Sequence, residues 1–141
     1  MATEIYLGNP PQHVIDWIKA HSKPVVSPKT KIMFADGSKG EYLIEGAMDC
    51  PALVAAGLMP EGSGTSAPPT WIKNPVKAEI GSAVTSIGNG AFYQCGYLVS
   101  VSIPNSVTRI EGVAFYQCLL ESAIIPNSVT SIGQEAFYGC G

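Results

Sequence analysis

VTSIGNGAFYQCGYLVSVSIPNS at residues 84–106 returns as VTRIEGVAFYQCLLESAIIPNS at 107–128 and begins once more as VTSIGQEAFYGCG at 129–141. The first copy has 23 residues and the second 22. Upstream, Ile80-Gly81-Ser82-Ala83-Val84 matches the spacing of Ile103-Pro104-Asn105-Ser106-Val107, so a degenerate half-unit begins near Val76. Self-similarity at a period of this size signals stacked copies of one small unit that share a core.

Each copy has an internal logic. Val99-Ser100-Val101-Ser102-Ile103 alternates apolar and polar residues, as a half-buried strand does. Pro104-Asn105-Ser106 ends it, because Pro has no N–H for a ladder and Asn and Ser favour turns. Val107 to Ile110 reads as a second extended piece, and Ala114 to Cys118 as a helical or 3₁₀ turn that drives its aromatic ring inward. Equivalent residues form ladders: Val84, Val107 and Val129; Ile87, Ile110 and Ile132; Ala91, Ala114 and Ala136; Phe92, Phe115 and Phe137; Cys95, Cys118 and Cys140. Each inward Phe contributes roughly 2 to 3 kcal/mol of transfer free energy. Tyr93, Tyr116 and Tyr138 follow the Phe series and are expected to turn toward the surface.

The pattern I-x₄-F-x₂-C followed by I-P-N-S-V-T-x-I resembles the BspA-type leucine-rich repeat of bacterial surface proteins, over about residues 76–141. The resemblance implies a short solenoid of about 2.5 repeats and a role in adhesion and recognition at a cell surface. Two departures stand out. The second copy is one residue short between Cys118 and Ile125, so its turn must differ from the first. The third stops at Gly141 before its own strand, where a solenoid normally carries a polar cap. A longer parent array, pairing with another subunit, and a frayed last coil are all open as explanations.

Residues 1–62 show no repeat and read as a small α+β module, giving an α+β chain: a capping module (1–62), a linker (63–75) and the repeats (76–141). Ile5-Tyr6-Leu7 is a candidate strand. Asn9 and Pro10 open a predicted helix to His21, with Val14, Trp17, Ile18 and His21 on one side and Pro24 beyond it. Lys31–Ala35 and Glu41–Glu45 flank Asp36-Gly37 as a hairpin. Pro51 to Leu58 reads as a short helix with Asp49 as N-cap and Gly57 near its end. The stretch EGSGTSAPPT at 61–70 is linker-like in composition, and Trp71-Ile72 just after it is expected to pack on the first coil.

Composition narrows the function. The chain has 141 residues, 8 Lys+Arg against 11 Asp+Glu for a net charge of −3, and is 13% charged and 46% hydrophobic. That is too apolar for wholesale disorder. Arg109 is the single arginine and the cations are scattered, which argues against a nucleic-acid partner. No apolar run reaches the roughly 18 to 20 residues of a membrane helix, so no membrane insertion is expected. Met1-Ala2-Thr3-Glu4-Ile5 lacks the basic and apolar order of a secretory signal, which points to synthesis in the cytoplasm and leaves the final location open, display at a surface or on a virion included.

Chemistry-bearing patterns are sparse. Cys95, Cys118 and Cys140 repeat as an odd-numbered ladder without zinc-knuckle spacing, which reads as buried thiols, and Cys50 as a free one. His13 and His21, Asp16, and the Glu41, Glu45 and Asp49 carboxylates form no catalytic pattern. Gly62-Ser63-Gly64 and Gly88-Asn89-Gly90 lack the Lys of a phosphate loop. The reading is therefore a non-enzymatic module with no cofactor and no metal. Its candidate contact residues are Tyr93, Gln94, Tyr116, Gln117, Ser100, Ser102 and Glu121, offered to a protein or glycan on a host or neighbouring cell, on a bacterial surface or a phage tail. The alternative is a structural subunit that docks through its N-terminal module or self-associates through the open C-terminal coil.

Overall fold

The computed structural model describes Gln12, His13 and residues 27–140. The predicted strand at 5–7 lies outside these residues. So does the predicted helix over 10–21, apart from Gln12 and His13, which are helical.

Two sheets and a stack of turns make the three sides of the repeat segment. In chain order the elements are β1 (Thr30–Phe34), β2 (Lys39–Tyr42), β3 (Gly46–Met48), α1 (Cys50–Ala55), β4 (Pro75–Glu79), β5 (Val84–Ile87), β6 (Ser100–Ser102), β7 (Arg109–Ile110), β8 (Ser122–Ala123) and β9 (Ser131–Ile132). One sheet has the order β2-β1-β4-β6-β8 and the other β3-β5-β7-β9. Each coil gives one strand to each sheet, and strands of successive coils pair in parallel. Ala78 faces Val101 in register, and Ile87, Ile110 and Ile132 form one row. The predicted half-unit folds as a full corner: the N–H of Val84 donates to Gly81 O at 3.1 Å, as Val107 does to Pro104 O at 3.2 Å and Val129 to Pro126 O at 3.1 Å.

The third side departs from the sequence reading. Residues 89–94, 112–117 and 134–139 are hydrogen-bonded turns and contain no helix. Left-handed residues bound each one: Gly90 (φ 71°) and Gln94 (53°), Val113 (50°) and Gln117 (55°), Glu135 (57°) and Gly139 (76°). Between them the chain runs flat enough to bond the next coil. The N–H groups of Phe92 and Gln94 donate to Ala114 O and Tyr116 O at 2.7 Å, and those of Phe115 and Gln117 to Ala136 O and Tyr138 O at 2.7 Å. Side chains between the left-handed residues point inward at Phe92 and Phe115, which are fully buried. The three Phe rings stack with centroids 5.1 and 5.2 Å apart and planes within 6° of parallel. The missing residue of the second copy is absorbed just after the turn: Leu98 lies three residues beyond Cys95 and Leu120 two beyond Cys118, and both are buried.

Ahead of the repeats, local signals decide. Asp36-Gly37 makes the expected hairpin, with Gly37 at φ 87° and Asp36 Oδ1 accepting from the Ser38 N–H at 2.9 Å. The tight turn pairs Met33 with Lys39, so the second strand starts earlier than expected, at Lys39, and Glu45 falls outside it. β1 also pairs antiparallel with β4, and β3 pairs parallel with β5. Asp49 caps α1 by accepting from the Ala52 N–H at 3.0 Å. Gly57, at φ 80°, closes the helix, the Leu58 N–H returning to Leu53 O at 2.9 Å.

Candidate functional site

The repeat places a tyrosine after each inward Phe, followed by a glutamine in the first two coils and by Gly139 in the third, and neighbours on a flat turn point to opposite sides. Tyr93, Tyr116 and Tyr138 stack with centroids 5.1 and 5.2 Å apart and planes within 13° of parallel. Their faces are largely used on one another, so the row presents ring edges and hydroxyls. Burial between its neighbours pushes the Tyr116 hydroxyl above its usual range, with Tyr93, Tyr138 and Glu135 adding repulsion, so Tyr116 is neutral at physiological pH. Gln94 and Gln117 are exposed beside this row and joined, Gln94 Nε2 donating to Gln117 Oε1 at 3.0 Å. Together they form a stripe of hydroxyls and amides along the turn side.

Ser100 and Ser102 sit elsewhere, on β6, either side of the buried Val101. In register with them stand Lys77 and Glu79 of β4. Glu121 is exposed just before β8, its N–H donating to Val99 O at 3.2 Å. The seven candidates thus fall on two sides of the coil: four on the turn side and three on or beside the β4-β6-β8 sheet.

Trp71 packs on the first coil as expected, whereas Ile72 beside it is 62% exposed; the hydrogen bonds that close the coil were not foreseen. Ala114 O and Ala136 O each accept an N–H from the coil before. Ala91 O has no such coil, and instead accepts the indole N–H of Trp71 at 2.8 Å. The Trp71 ring, 6% exposed, stacks on Phe92 with centroids 5.2 Å apart, as one Phe stacks on the next. Asn89 O likewise accepts the Cys50 thiol at 3.6 Å, where Gly112 O accepts the Gly90 N–H. Two side chains therefore supply what a preceding backbone would. Spacing placed Trp71 against this coil, but nothing in the sequence showed that its indole N–H would take the place of a backbone donor.

The cysteine ladder also does more than fill space. Cys118 donates its thiol to Phe92 O and Cys140 to Phe115 O, both at 3.0 Å. All four cysteines are free thiols. Hydrogen bonding to Cys118, followed by burial, pushes the Cys95 thiol far up, and burial raises Cys50 and Cys140. His13, Glu41 and Glu45 are exposed. Among the described residues no group of three His, Cys, Asp or Glu is placed to hold a metal, and no helix is long and apolar enough to cross a membrane.

Residues 73–141 match the family model described as a BspA type leucine rich repeat region of 6 copies. No curated protein matches the chain. Among solved structures, a leucine rich cell surface protein from Faecalibacterium prausnitzii A2-165 is 44% identical over the matched part, at a TM-score of 0.44. The match covers 44% of this chain and 16% of that one, so the chain spans a small part of that protein's length.

Proposed function

We propose, from the premise that residues 73–141 are a BspA-type leucine-rich repeat segment, that the chain is a non-enzymatic recognition module of a surface protein, binding a protein partner through its turn side. The observation that carries this reading is the stripe of Tyr93, Tyr116 and Tyr138 with the Gln94–Gln117 pair beside it. Tyrosine supplies contact area and a hydrogen bond at little conformational cost, and the stacked rings are already fixed before a partner arrives. Residues 1–62 serve as the N-terminal cap in this reading. It is supported by the antiparallel β1–β4 pairing and by Met48 and Leu53, which are fully buried against the first coils. Display on a bacterial surface or a phage tail both suit such a module.

The test is binding of the labelled chain to intact bacterial and epithelial cells before and after protease shaving. Binding that shaving abolishes, and that Gln117→Ala with Tyr138→Ser weakens, is the expected result. Binding indifferent to both substitutions sinks the reading.

A further inference from the structure

We propose that the groove between the loop at 64–69 and the outer face of the β3-β5-β7 sheet is a binding site for a neutral glycan. The groove encloses about 890 Å³, within the span of small-molecule sites. Ala47, Ser86 and Arg109, in register across three parallel strands, form its floor. The loop makes one wall and is held in shape from within: the Gly64 N–H donates to Ala67 O at 2.7 Å and the Ala67 N–H to Gly62 O at 2.9 Å. The site is thus formed before a ligand binds, which lowers the ordering cost of association.

Its chemistry suits a polyol. Tyr93 lines the groove and stacks on Tyr116 with one face, and among the described residues no second ring stacks on it. A free aromatic face takes the C–H side of a sugar ring. Asn89 lines the same space, and among the described residues its side-chain amide has no hydrogen-bond partner. Arg109 Nε lies 3.7 Å from Glu111 Oε1, and among the described residues no other ion pair engages its side chain, which is 60% exposed, so its terminal N–H groups are available. Amide, guanidinium and carboxylate are planar groups with paired donors or acceptors, the arrangement that adjacent hydroxyls satisfy two at a time. Charge selects against ions. Asp49 and Glu111 set two negative charges against the one of Arg109, so a polyanionic chain is repelled, while Arg109 offsets the pull on a cation. The pattern of hydroxyl, amide and aromatic ring fits an uncharged, hydroxyl-rich ligand.

This site shares only Tyr93 with the turn-side stripe, so it stands or falls separately. The full chain is screened on an array of neutral, sulfated and sialylated oligosaccharides, and the best neutral ligand is titrated by calorimetry. Neutral glycans are expected to bind in preference to acidic ones. Asn89→Ala and Arg109→Ala should each weaken binding by about tenfold, as loss of one good polar contact does. Gln117→Ala, on the stripe, should leave it unchanged. Thermal unfolding of each variant checks that the fold survives. An array without neutral hits, a preference for acidic glycans, or binding that Asn89→Ala and Arg109→Ala leave intact overturns the proposal.

Discussion

Between residues 30 and 59 the hairpin and both ends of α1 have a cause within a few residues. Asp36 and Gly37 make the hairpin, Asp49 starts α1, and Gly57 ends it. Between residues 84 and 140 several bends have no local cause at all. Val113, Gln117 and Glu135 hold left-handed backbone that their own side chains disfavour, by roughly 1–2 kcal/mol each. What holds them is the coil on either side, whose carbonyls line up only if the turn is flat. The first region is written residue by residue. The second is written in the stack.

That contrast can be broken at several points. Phe115→Ala removes a ring stacked on both faces and should cost about 3–5 kcal/mol in chemical denaturation. Tyr116→Ala, one residue on and partly exposed, should cost clearly less, and equal losses would overturn the inward and outward assignment. Trp71→Phe keeps a ring against Phe92 but strips the donor from Ala91 O, which should cost about 1–3 kcal/mol. A loss near zero would mean the ring alone closes the first coil. Asp49→Ala should cost about 1 kcal/mol by removing the cap of α1, a local effect that leaves the repeats intact by hydrogen exchange. Val113→Gly runs the other way. Relief of the left-handed strain, less the extra freedom of the unfolded glycine, should gain about 0.5–1 kcal/mol. A loss there would show that the Val113 side chain contributes more than its backbone costs.

The parts legible in advance were those with a local or periodic signature. The Phe and Cys ladders, the corner at Ile80–Val84, the Asp36-Gly37 turn and the Asp49 cap all fall where their residues announce them. β3 was not legible, because three residues carry no pattern and their partner, Val84 opposite Gly46, lies far along the chain. The flat turns were half legible. Gly90 and Gly139 occupy positions where the other copies have Val113, Glu135, Gln94 or Gln117, and a glycine in one copy reveals the backbone of them all. On the candidate surface, the tyrosine row followed from spacing alone, whereas the separation of Ser100, Ser102 and Glu121 from it depended on which side of the coil each strand occupies.

The turn-side ladder has a direction. Its N–H groups run from each coil to the carbonyls of the next: Phe92 to Ala114, Phe115 to Ala136. Amide dipoles aligned head to tail add, as they do along a helix. The flank beneath the tyrosines is therefore a small electrical vector, negative toward Trp71 and positive toward Phe137. The indole and thiol hydrogens of Trp71 and Cys50 lie at its negative pole, where a donor belongs. The negative pole is thus already covered within the chain, and the ladder's polarity is what makes a donor, not an acceptor, the right group to cover it.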